Sequence, residues 1–139
     1  GGSGIDIKDL DFSNETVNDT QKKIVAVATN SAKYGISARS GYCQAWVADV
    51  YQAVTGSRGS AHCALCAADM WAVSSDWSKI PVGAAIYGYS SSKYGHVGIY
   101  IGNGMVAHNI GYIKIEPIED WIKTYKGFAW GWENGYIKE

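Results

Sequence analysis

Cys43 and His96 are the two side chains of this sequence best suited to do chemistry together. Cys43 stands in Gly41-Tyr42-Cys43-Gln44-Ala45-Trp46-Val47, where a loop gives way to helical spacing. His96 opens the β-rich run Gly95-His96-Val97-Gly98-Ile99-Tyr100-Ile101. A thiolate is a strong nucleophile, and an imidazole is the side chain suited to take the thiol proton near neutral pH. At the first turn of a helix, the unpaired N–H groups and the positive end of the dipole are expected to favour the thiolate. Either residue alone is more often a packing residue. What points to nucleophilic attack on an acyl group is the pair, in this order, on a helix start and a strand.

A helix and a sheet must hold those positions. Ser13 and Asn14 are candidate caps of a first helix running to about Tyr34, with Ile24, Val25, Val27 and Ala28 as its apolar stripe and Gly35 as a left-handed stop. A loop at 36–41 leads to a second helix at 42–54, ended by Gly56, which puts Cys43 at its start. Residues 62–73 are rich in helix formers and read as a third helix. Strand-like runs follow at 82–89, 96–101, 105–109, 112–115 and 128–132, with a short helical turn at 119–125. Helices first and strands second predict an α+β fold, with N-terminal helices packed on a mostly antiparallel sheet.

With 139 residues, 47% of them hydrophobic, the chain suits one domain, taken as 13–139. Residues 1–12 read as a linker or cloning remnant beginning Gly1-Gly2-Ser3-Gly4, followed by an irregular lead, so the domain is expected to be a monomeric part of a longer multidomain chain. The net charge of −1 comes without a basic cluster and argues against nucleic acid or an anionic membrane as partner. No apolar run is long enough to span a bilayer, and no signal peptide is visible. The 17 glycines, 10 tyrosines and 6 tryptophans against 2 phenylalanines suit short strands and partly exposed aromatic surfaces that a carbohydrate-rich ligand could meet.

A helix-start cysteine, a strand histidine about fifty residues later and a polar residue on the next strand form the papain-like order. The run from Gly95 through Gly102-Asn103-Gly104 to Val106-Ala107-His108 resembles the histidine hairpin of the NlpC-like cysteine peptidases, bacterial enzymes that cut the peptide stems of peptidoglycan. The likeness covers about 25–139. By resemblance Cys43 is the nucleophile, His96 the base and His108 the residue that orients it. Around the cysteine the family usually has Asp-Cys-Ser-Gly, where this chain has Tyr42-Cys43-Gln44-Ala45, and the segment is also similar to the cysteine region of the related CHAP enzymes. The His96 to His108 spacing favours the NlpC-like reading. The resemblance implies an amide hydrolase acting through a thioester on stem peptides, with the D-glutamyl to dibasic bond as target. It also implies a secreted or wall-facing location and no metal or cofactor. The oxyanion is expected to sit on N–H groups at the helix start, with Tyr34 or Tyr42 as a second donor. An N-acetylmuramoyl amidase or acyltransferase of the same clan is the enzymatic alternative, and a wall-binding module with a silent site the non-enzymatic one.

The third residue depends on hairpin register. If Asn103-Gly104 is a two-residue turn, Gly102 faces Met105 and His96 shares its face with Asn109. If Gly102-Asn103-Gly104 is a three-residue loop, Ile101 faces Met105, Gly98 faces His108, and the two histidines are diagonal neighbours. The second register is expected. Cys63 and Cys66, beside His62, lack the second ligand pair of a zinc site and the βαβ setting of a redox motif, and read as packed helix residues or one local disulfide. Asp76, Trp77, Trp130, Trp132, Glu133 and Asn134 are candidates to line a substrate groove, with one ring of Trp130-Gly131-Trp132 in the core and the other at the surface.

Overall fold

A computed structural model describes residues 15–136. The expected linker and the candidate caps Ser13 and Asn14 lie outside the described residues. The first helix, α1 (Asp19–Thr29), begins later than expected because Asn18 and Gln21 form a reciprocal capping box, each side chain bonding the other's backbone N–H at 2.8 Å. Gln21 also donates its side-chain N–H to the Val82 carbonyl at 2.9 Å, which ties the start of α1 to the chain leading into the sheet. A 3-10 turn at Ser31–Tyr34 follows, and Gly35 closes it at φ 73°.

Helix α2 (Cys43–Thr55) ends at Gly56 in the left-handed conformation. Helix α3 (Ala64–Trp71) is shorter than the expected 62–73, because Cys63 caps it and the chain turns extended at Ala72. Strand β1 (Ala72–Ser74), absent from the sequence reading, pairs there with β6 (Ala129–Gly131). Three residues inside an Ala-rich, helix-forming stretch carry no strand signal of their own. Pairing alone makes them one.

The remaining strands are β2 (Ala85–Gly88), β3 (His96–Gly102), β4 (Met105–Asn109) and β5 (Ile113–Pro117), with helix α4 (Ile118–Tyr125) between β5 and β6. The sheet runs β1-β6-β2-β3-β4-β5 with every neighbouring pair antiparallel. The fold is α+β. On one face Ile24, Trp46, Val50 and Tyr51 of the N-terminal helices meet Val97, Ile99 and Ala107. On the other, Ile118, Trp121 and Ile122 of α4 meet Ile86, Tyr100 and Val106. Large buried side chains such as Trp46 and Trp121 each contribute on the order of 2–3 kcal/mol by leaving water. Strand β3 is therefore covered on both sides, with Val97 and Ile99 toward the helices and Tyr100 toward α4. No helix among the described residues is long and apolar enough to cross a membrane.

Candidate active site

Cys43 is the first residue of α2, and no side chain caps that end. The loop before it is held from the sheet. Asn109, at the end of β4, donates its side-chain N–H groups to the carbonyls of Arg39 (2.8 Å) and Tyr42 (3.3 Å), and its oxygen accepts from the Gly111 N–H at 2.9 Å. Three partners immobilise that amide, so Asn109 anchors the cysteine loop. The Cys43 sulfur faces the backbone N–H groups of Val97, Gln44 and Cys43 itself. The thiol thus lies against the second residue of β3, next to His96.

The β3–β4 hairpin combines both registers considered for it. Asn103 (φ 53°) and Gly104 (φ 73°) form a two-residue turn with Gly102 opposite Met105. Tyr100 nevertheless pairs with Val106 and Ile99 with Ala107, so Ile101 is an extra, bulged residue. The bulge restores the spacing that a three-residue loop would produce, and His108 falls opposite Gly98. A Cβ on Gly98 would lie 3.1 Å from that of His108 and 3.0 Å from Val106 Cγ1, so a larger residue here would displace the His108 ring. His96 Nε2 and His108 Nδ1 are 2.8 Å apart, with the rings edge to face. His108 is fully buried, and His96 is 7% exposed.

Two features of this cluster were not anticipated. Tyr125 of α4 stacks on the His96 ring with centroids 4.1 Å apart, and Trp121, one turn earlier, lies 5.2 Å from Tyr125. The Glu116 Oε2 atom lies 2.5 Å from His108 Nε2. Residue 116 fell just past the expected end of its strand at 115, so its pairing with a residue eight positions back had no signal in the sequence.

No family model matches the sequence, and no curated protein matches it. Among solved structures, the chain is similar to an NlpC/P60 family protein from Bacillus cereus ATCC 10987, with a TM-score of 0.55 and 17% sequence identity over 79% of this chain and 40% of that one. The chain has the NlpC/P60 fold. It spans 40% of that protein's length, and at this identity the likeness concerns architecture alone.

Within this NlpC/P60 fold, the electrostatics of the site differ from the expected thiolate. Burial pushes the Cys43 thiol above its ordinary value, and the Glu133 charge adds to the rise; the surrounding N–H groups pull the other way but do not prevail. Burial, with the positive charge of His108 added, pushes His96 down to about 3. His108 is also lowered, chiefly by burial, against the opposing pull of Glu116. At neutral pH both groups therefore rest uncharged, a thiol and an imidazole. No hydrogen bond joins them among the described residues, and His96 Nδ1 is the ring nitrogen left over.

A direct consequence can be measured. The Cys63 and Cys66 sulfurs form a disulfide, so Cys43 is the one free cysteine, and alkylation reports on it alone. Its rate with iodoacetamide is expected to climb about tenfold per pH unit from about pH 6 to 9. A rate flat over that range would instead reveal a preformed ion pair.

A cavity of about 460 Å³ opens beside Cys43, with Tyr42, Arg58, His62, Cys63 and Tyr94 on its walls. Tyr42 is half exposed and carries the Arg39 guanidinium 4.2 Å above its ring. Tyr34 is half exposed on the turn after α1 and does not line this cavity. Trp77, expected at a groove, is instead 2% exposed in the core beneath α4, because its 3-10 turn is pinned by Asp76 accepting from the Ser78 N–H. Trp130 is buried there too and donates its ring N–H to the Asp76 carbonyl, while Trp132 is partly buried against both cores. Glu133 and Asn134 are also buried rather than groove residues. Glu133 accepts from Gln44 Nε2 and the Tyr87 hydroxyl, both at 3.0 Å, and burial raises it to about 7. The described residues include no cluster of three metal-ligating side chains.

Proposed function

We propose that this domain is a cysteine endopeptidase that hydrolyses amide bonds in the stem peptides of bacterial peptidoglycan, working on the wall outside the cell as part of a larger protein. The observation that carries the reading is the His96–His108 pair at 2.8 Å, held beside a helix-start cysteine in an NlpC/P60 fold. His96 Nδ1 accepts the Cys43 proton as the sulfur attacks the peptide carbonyl. Because burial disfavours both the thiolate and the imidazolium in the free protein, proton transfer and attack proceed together. Such contacts are commonly long in a free enzyme and tighten when substrate arrives. The oxyanion that develops is held by N–H groups around the sulfur, those of Cys43 and Gln44 among them, with Tyr42 at the cavity wall as an additional donor. His96 returns the proton to the leaving amine, and water then hydrolyses the thioester with His96 again as base.

Digestion of purified peptidoglycan followed by mass spectrometry tests this. New stem-peptide termini made by the wild type and absent with Cys43→Ala are expected, and their masses name the bond, with the D-glutamyl to dibasic linkage as the proposed one. Free muramoyl termini would instead make the protein an amidase. Wall binding by both proteins with no fragments from either would make it a binding module.

A further inference from the structure

We infer that Glu116 is a positioning residue that sets the tautomer of His96 through His108. The inference rests on the reading of Cys43 and His96 as nucleophile and base. It follows from two contacts, Glu116 Oε2 to His108 Nε2 at 2.5 Å and His108 Nδ1 to His96 Nε2 at 2.8 Å. An ionised carboxylate can only accept, so the facing Nε2 of His108 must carry its proton. A neutral His108 then presents a bare Nδ1, which can only accept in turn. His96 must donate from Nε2, and its lone pair is left on Nδ1, the nitrogen without a partner among the described residues. Each assignment forces the next.

The opposite chain would aim the bare Nε2 of His108 at a carboxylate oxygen with no proton between them, inside a cluster where His108 is fully buried. Other groups do not take over this task. Lys114, opposite His108 across the strand pair, has its Nζ 3.7 Å from the same Glu116 oxygen, and an ammonium group has no lone pair with which to accept from His108 Nε2. From α4, Trp121 and Tyr125 meet the rings edge-on or by stacking. On the Gly98 side lies the Val106 side chain, which carries no polar atom. Glu116 is therefore the group that can tell His108 which nitrogen to protonate.

The test reads the ring nitrogens directly. Nitrogen-15 spectra of the histidine rings at about pH 7 are expected to show His96 and His108 both protonated at Nε2 in the wild type. In Glu116→Gln the amide can face the ring with either its oxygen or its nitrogen, so both rings should show mixed tautomers. Cys43-dependent kcat on soluble wall fragments should then fall about 10–100-fold with KM little changed. In His108→Asn the path from residue 116 to His96 is cut, so adding Glu116→Gln should cost almost nothing further. A wild-type His96 protonated at Nδ1, or an equal cost of Glu116→Gln in both backgrounds, overturns the inference. If the wild type shows no Cys43-dependent cleavage, the proposed function fails, yet the ring spectra still decide how Glu116 sets the tautomer.

Discussion

Replacing His96 with alanine is expected to lower Cys43-dependent cleavage by about 10³–10⁴-fold at neutral pH, the range associated with losing a general base. The cause lies in the buried thiol. Its pKa is above the ordinary value, so very little thiolate exists at neutral pH without a partner to take the proton as attack proceeds. The residual rate of His96→Ala should therefore rise with pH, following thiolate formation, where the wild type rises less steeply. Added imidazole should restore part of the activity by occupying the space over Tyr125, on which the native ring stacks at 4.1 Å. Initial rates measured against pH and imidazole concentration check both points. A variant within threefold of the wild type would remove His96 from the mechanism. His108→Ala should cost less, about 10–100-fold, because the base survives and only its orientation is lost.

Glu133→Gln is expected to stabilise the folded protein above neutral pH by about 3 kcal/mol. Glu133 is fully buried, and its carboxyl is raised from 4.5 to about 7. At about 1.4 kcal/mol per unit, that difference is about 3 kcal/mol. The sign follows from proton counts. Between pH 4.5 and about 7 the folded protein keeps a proton that the unfolded chain has released, so stability falls as pH rises through this window and the full cost is present above it. Glutamine carries no charge to desolvate. Its side-chain oxygen can still accept from Gln44 Nε2, and its N–H can donate to the Tyr87 hydroxyl oxygen. Urea unfolding at pH 5 and pH 8 measures the effect: wild type and variant should nearly coincide at the lower pH and separate at the higher one. Equal stabilities at pH 8 would show that the folded protein bears no such cost. Removing the charge should also lower the Cys43 thiol and speed its alkylation, since Glu133 contributes to its rise.

Much of the framework was legible because it rests on local signals. Gly56 stops α2 in the left-handed region as expected, whereas Gly35, also left-handed, closes a separate 3-10 turn after α1 has ended at Thr29. The β-branched and aromatic runs after residue 80 became strands, since alternation along a buried strand needs those shapes. The first helix starts later than expected because the Asn18–Gln21 capping box, which the sequence reading did not consider, sets its first turn. Trp77 was misread because a tryptophan in a polar loop looks the same in sequence whether it meets solvent or turns into the core.

By itself, the sequence determined the α+β class, the helix start under Cys43 and the strand under His96, all consequences of neighbours within a few residues. Tertiary structure decided the rest. A bulge at Ile101, invisible in the residue types, brings His108 opposite Gly98 and so to His96. Burial overrode the helix end and raised the thiol, because desolvation depends on everything packed around a group rather than on its place in a helix. Glu116 beneath His108, Tyr125 over His96 and Glu133 behind Gln44 are contacts between elements that only sheet pairing and the packing of α4 bring within reach.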